Sequence, residues 1–214
     1  GTATVENFDV RITGGTITED VVAGNYTVKA TGTKAVALKA SPSKGGSITI
    51  GGEAKIGGKV DASAEGVATN VVIDGNGAEV EKGYQGNAGS TLTFNNYNAK
   101  FDNTATGFGN LNVAEGSNVQ MDNLSTGAKG DQDDKGFFGG TSGNNVTVNG
   151  KGTVKAANVT AIGGKTITVA DGSTLDAQKL ITKQEGSTGG SVKTDGLGST
   201  LVIGNEGLSD IANN

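Results

Sequence analysis

One short phrase returns along this chain at intervals of about twenty residues, and a fixed interval of that size points to a stack of repeated layers. Its clearest copy is Ile167-Thr168-Val169-Ala170-Asp171-Gly172-Ser173-Thr174-Leu175-Asp176-Ala177. An earlier copy is Leu111-Asn112-Val113-Ala114-Glu115-Gly116-Ser117-Asn118-Val119-Gln120-Met121, and a looser one runs from Val146 to Ala156. Each has an apolar-polar-apolar beat, a corner bearing glycine, and a second beat. Period-two alternation of Val, Ile, Leu and Thr is the pattern of short strands, and Gly or Asn between them supplies the backbone angles of tight corners.

The first apolar residues of successive beats are Tyr26, Ile48, Val71, Leu92, Leu111, Val146, Ile167 and Leu201. Five of the seven spacings fall between 19 and 23 residues; the other two are 35 and 34. The long spacings imply insertions, placed at 124–144 and 181–199. Loops of this kind are common sites of partner contact. No window carries the i, i+3, i+4, i+7 spacing of an amphipathic helix.

A single layer of short strands cannot bury its apolar side chains or pair its backbone edges. A second layer about 4.8 Å above it does both. The expected fold is therefore all-β: a right-handed parallel β-helix, or solenoid, of about nine rungs with a period near 21 residues. Inward positions should stack like on like, Val148 over Val169 for example. Residues 26–214 are assigned to this solenoid. Residues 1–25, where Phe8, Val10 and Ile12 alternate before Gly14 and Gly15, are an N-terminal cap, a first rung or a pairing arm. The rival fold is a pair of β-sandwich domains split near 127–140. It wants more aromatics than the 4% present here.

The phrases at Ile167–Leu175 and Leu111–Val119 resemble the rungs of bacterial surface β-helices. Autotransporter passenger domains and filamentous-haemagglutinin-type adhesins are similar. The resemblance spans about Tyr26 to Gly207. It implies an exported, bacterial-type protein at the cell surface and carries over no catalytic residue. Against the family pattern the expectation is of only about nine rungs and no membrane-anchoring barrel. A chain that starts at Gly1, without a leader-like segment, is expected to be a processed product or an excised piece.

Composition narrows the chemistry. With no Cys and no His, thiol nucleophiles, disulfides, zinc-peptidase helices and Ser-His-Asp triads are excluded. The balance is acidic, 17 Lys+Arg against 22 Asp+Glu, and Arg11 is the one arginine. That argues against nucleic acid as a partner. No apolar run approaches the roughly 20 residues of a membrane span.

Five local features invite a functional reading. Asp131, Asp133 and Asp134 before Gly136 could form a calcium loop. Lys135 stands where an EF-hand loop has its third ligand, however, and Ser142 where it has its final Glu. A solvated acidic loop is the reading taken, with no cofactor expected and calcium the only candidate. Phe137 and Phe138 beside it are either a contact patch or a cover for the stack. Gly163-Gly164-Lys165-Thr166 imitates the end of a phosphate-binding loop but lacks its first glycine, Val159 standing there, so it is read as a corner. Glycosylation sequons begin at Asn25, Asn123, Asn145 and Asn158, as expected by chance in a chain rich in Asn and Thr. Carboxylates on equivalent corners, Glu115 and Asp171, are the pair a glycoside hydrolase would need.

The expectation is a non-enzymatic structural subunit of an extracellular or cell-surface assembly, a filament or surface layer. It would self-associate through open β-edges, with Phe137, Phe138, Phe8, Val10 and Ile12 as interaction residues. The alternatives are an adhesin stalk or passenger that presents loops to a host receptor or polysaccharide, and a carbohydrate-active β-helix enzyme.

Overall fold

The structure is a computed structural model that describes Phe8–Ile12, Thr16–Ile17, Val21–Val22, Tyr26–Val28 and Leu38–Ala40, then residues 46–130 and 133–204. Its described strands pair in parallel throughout, except for Tyr26–Val28, which runs antiparallel to Leu38–Ala40. The chain is a β-solenoid of about seven turns with a period of about 23 residues. It contains no helix among the described residues. Parallel stacking removes the β-sandwich alternative, because hairpin-linked sandwiches are built from antiparallel neighbours.

One face of the solenoid is an eight-stranded sheet in strict chain order. Its strands are Phe8–Ile12, Gly46–Gly51, Thr69–Asp74, Thr91–Asn95, Asn110–Val113, Val146–Asn149, Thr166–Val169 and Ser191–Thr194. Eight strands stand one turn apart, so they bound seven turns rather than the nine expected. The beats chosen at both ends were not strands of this sheet, whose end strands are Phe8–Ile12 and Ser191–Thr194. Tyr26 belongs to the antiparallel pair and does not stack, while Leu201 lies opposite Leu175 in another sheet.

A three-stranded sheet of Thr16–Ile17, Lys55–Ile56 and Glu79–Val80 forms part of a second face in the early turns. The remaining face belongs to a ten-stranded sheet. In later turns a single eight-residue strand spans two faces: Asn118–Ser125, Thr153–Thr160 and Thr174–Ile181. Each has two adjacent residues outside the buried set at its middle, such as Asp122 and Asn123, where the alternation changes phase. The strand bends there and serves both faces without breaking.

The recurring phrase maps directly onto this geometry. Its first beat is a strand of the eight-stranded sheet, its Gly segment is the corner, and its second beat opens a strand of the ten-stranded sheet. At the Asp171 corner, Asp171 has φ 53° and Gly172 φ 75°, and Ser173 N–H donates to Ala170 O at 3.0 Å. Two left-handed residues in succession make a type I′ turn, which reverses the chain sharply.

Like does stack on like. Ile48, Val71, Leu92, Leu111, Val148 and Val169 follow one another in register, and all are fully buried. The middle turns widen this aliphatic column with aromatics. Phe94 meets Tyr97 edge-on at 4.9 Å and Phe101 at 5.2 Å, while Phe108 lies 6.1 Å from Phe137. Edge-on pairs of this kind add to the burial energy of the rings themselves.

The two predicted insertions are not simple excursions. The span 181–199 contains Ser191–Thr194, the last strand of the eight-stranded sheet. The span 124–144 contains Gly136–Phe138, which wedges between Thr104–Thr106 and residues 123–125. That strand comes later in the chain than both neighbours, so its layer is out of sequence order.

Candidate functional site

The sequence candidates separate into core, surface and end positions. Phe137 is fully buried and Phe138 nearly so. Their proposed role as an exposed contact patch is therefore corrected. Phe137 stacks in register between Ala105 and Leu124, inside the solenoid. A three-residue strand that must fill a gap between layers needs bulk, and two Phe supply it.

Asp131 lies outside the described residues. Asp134 is held near the wedge: its main-chain oxygen accepts a hydrogen bond from Thr104 Oγ1 at 3.1 Å. Lys135 Nζ stands 3.9 Å from Asp102 Oδ1. Among the described residues no group of three or more His, Cys, Asp or Glu is arranged to hold a metal ion.

Gly163 and Gly164, at φ 68° and 69°, form a tight corner in which Lys165 N–H donates to Ile162 O. The chain then enters a strand, as a phosphate loop would not. Three sequon asparagines are tied into the stack. Asn123 Nδ2 donates to Lys135 O, Asn158 Nδ2 donates to Asn123 Oδ1, and Asn145 Oδ1 accepts from Thr166 N–H. Asn25 lies outside the described residues. Glu115 and Asp171 sit on corners separated by the turn that carries Lys151, whose Nζ is 3.9 Å from Glu115 Oε2.

The ionisable groups with shifted affinities are structural. Burial, with the neighbouring Tyr97 adding to it, drives the Tyr84 phenol far above its ordinary 10.0. Burial also raises Tyr97, whose hydroxyl donates to Lys100 O. For Asp61, burial is the largest single influence and acts upward. Hydrogen bonds from Ser63 and Lys59 together outweigh it and hold the carboxyl below its usual value.

An open groove of about 360 Å³ crosses the bend of the long strands. Lys100, Gln120, Asp122, Lys155, Asp176 and Gln178 line it around the small Ala157. Lys100 Nζ and Asp122 Oδ1 are 2.8 Å apart, and this hydrogen bond and charge raise the lysine above its ordinary value. The groove offers hydrogen-bonding groups of both signs. Sequence reading missed it, because its residues meet only when turns stack.

The ends of the stack are the other notable surfaces. Phe8–Ile12, with Phe8, Val10 and Ile12 among the interaction candidates, is the terminal strand at one end of the eight-stranded sheet. It pairs there with Gly46–Gly51. At the opposite end Ser191–Thr194 pairs with Thr166–Val169, and Thr200–Ile203 closes the ten-stranded sheet. Among the described residues the large apolar side chains that stand exposed are Leu197 at 99%, Val202 at 43% and Ile203 at 39%. All three lie at this C-terminal end. No helix among the described residues is long and apolar enough to cross a membrane.

A scan of protein-family models, a search of curated proteins and a search of solved structures each found no match to the chain.

Proposed function

We propose that the chain is a non-enzymatic structural subunit of an extracellular, bacterial-type surface assembly, a filament or surface layer, and that copies join head to tail through the ends of the solenoid. The observation that carries this reading is that Leu197, Val202 and Ile203, the exposed large apolar residues among those described, all lie in one terminal layer, while those of the inner turns are buried or half-buried. A terminal layer of a parallel stack also presents backbone donors and acceptors along its edge. A further layer in the same direction covers both, and the opposite end of a second copy supplies one by β-augmentation. The two ends are unlike surfaces, so the contact repeats without closing and produces a fibre. The placement at a cell surface is supported by the resemblance of the repeat phrases to bacterial surface β-helices.

Electron microscopy of purified protein over a concentration series tests the reading. End-to-end rods that lengthen with concentration are the expected result. Dispersed single particles at every concentration, with and without calcium, overturn it.

The groove at Lys100 and Asp122 favours a second reading, an adhesin stalk or passenger that binds a hydroxyl-rich polysaccharide. Binding to a panel of soluble polysaccharides, lost in Lys155→Ala with Asp176→Ala, would support it. Release of sugars from the same panel would favour the third reading, a carbohydrate-active β-helix enzyme.

A further inference from the structure

Two of the three outer columns of the eight-stranded sheet begin and end at charged residues with uncharged residues between; the third, through Gly51, Asp74 and Asn95, has its charge in mid-stack. One column starts at Asp9, opposite Ser47. It passes through Asn and Thr residues from Asn70 to Thr168 and finishes at Lys193. The column two residues along starts at Arg11, opposite Thr49. It passes through Val72, Thr93, Asn112 and Asn149. It finishes at Asp195, whose N–H continues the ladder by donating to Val169 O at 2.8 Å. Arg11, Lys193 and Asp195 are all exposed. From Ile48 to Val169 the column between these two is the buried aliphatic one, so over those turns both columns lie on the outer face.

The order of signs is therefore negative, positive at one end (Asp9, Arg11) and positive, negative at the other (Lys193, Asp195). We propose that a second copy of this chain docks its Phe8–Ile12 strand on Ser191–Thr194 in the register the stack already uses, so that Asp9 meets Lys193 and Arg11 meets Asp195 across the joint. The inference rests on the head-to-tail reading above and adds its register.

Opposite charges facing each other across neighbouring strands attract, and like charges repel. A slip of two residues in one direction sets Asp9 against Asp195. A slip of two in the other sets Arg11 against Lys193. A slip of one turns the apolar column outward. Each wrong register thus meets a specific penalty, which is how charge gives specificity at an interface whose affinity comes from elsewhere. The only arginine of the chain stands at this joint.

Two charge-reversed variants test the pairing: Lys193→Asp with Asp195→Lys, and Asp9→Lys with Arg11→Asp. Each alone should need a protein concentration at least about tenfold higher to form rods, because both columns then repel. Mixed in equal amounts they should form rods as wild type does, since each variant's altered end complements the other's. Far-UV circular dichroism verifies that both fold. The milder Lys193→Gln with Asp195→Asn should weaken assembly without abolishing it. If the reversed variants assemble alone as wild type does, or if the mixture fails to restore rods, the register is overturned while the assembly reading stands. Joints between two C-terminal ends would survive reversal, because Lys193 and Asp195 could still meet each other in antiparallel, and that outcome also overturns the proposal. Wild-type protein that never assembles removes the head-to-tail reading and this inference together.

Discussion

Ser117 shows how a single side chain ties one turn to the next. It is buried, and its Oγ accepts the Tyr97 N–H of the preceding turn at 3.2 Å. Ser173 does the same for Lys151 N–H, Ser199 for Gly172 N–H, and Ser90 for Thr69 N–H. A corner breaks the regular ladder, and these hydroxyls satisfy N–H groups that would otherwise be left over. Ser117→Ala should cost about 1–3 kcal/mol, the range for leaving a buried donor without a partner. For a chain of this size that lowers Tm by about 2–4 °C per kcal/mol, which thermal denaturation followed by circular dichroism would detect. An unchanged Tm would mean that the N–H finds another acceptor. The glycine in the phrase at Ala114–Ser117 announced a corner from sequence alone. The serine beside it gave no such sign, because its partner lies about twenty positions earlier and no local pattern links them.

At the scale of elements, the strand Gly136–Phe138 is the least expected piece. Its glycine has φ 133°, and an added Cβ would come within 2.0 Å of Asn123 O. Gly136→Ala combines a forbidden backbone angle with a clash against main chain, so about 3 kcal/mol or more of stability should be lost. Urea titration should show a lower midpoint. Were the midpoint kept, the wedge would be free to relax. The strand was hidden in the sequence because three residues are too few to show a period, and the acidic run before it resembled a solvated loop. The four-residue strands of the eight-stranded sheet that carry Leu111, Val148 and Val169 were far more legible: each sits in an alternating run, and the structure stacks them in the order that the runs imply. Ser191–Thr194 was missed because its glycine-rich surroundings suggested a loop, although Val192 lies in register with Ile167.

For the molecule as a whole, a stack held by nearest-neighbour contacts should tolerate losing one complete turn. Val148 and Val169 occupy equivalent places, so excising residues 149–169 joins the turns in phase. That variant should keep its β spectrum and unfold cooperatively at a lower temperature. Excising 150–169 instead leaves one extra residue, which carries the following side chains to the wrong face, and should abolish cooperative unfolding. If both behaved alike, the like-on-like stacking would not be what sets the register. The solenoid was legible in the spacing of the beats. Its ends were not, since Tyr26 and Leu201 satisfy the same alternation as true rungs and only pairing partners separate them. The charged pairs at those ends were equally hidden: Asp9 and Lys193 lie far apart in the chain and share nothing but a column. The out-of-order layer at Phe137 has a consequence in time. A parallel stack can otherwise build itself as the chain emerges, each new turn settling on the last. Here residues 123–125 have no floor to settle on until Gly136–Phe138 has arrived and slipped beneath them. Growth from the N-terminus is therefore expected to pause at that point until about ten more residues have come into reach. The expected outcome is an earlier block and a later block that join when the wedge seats.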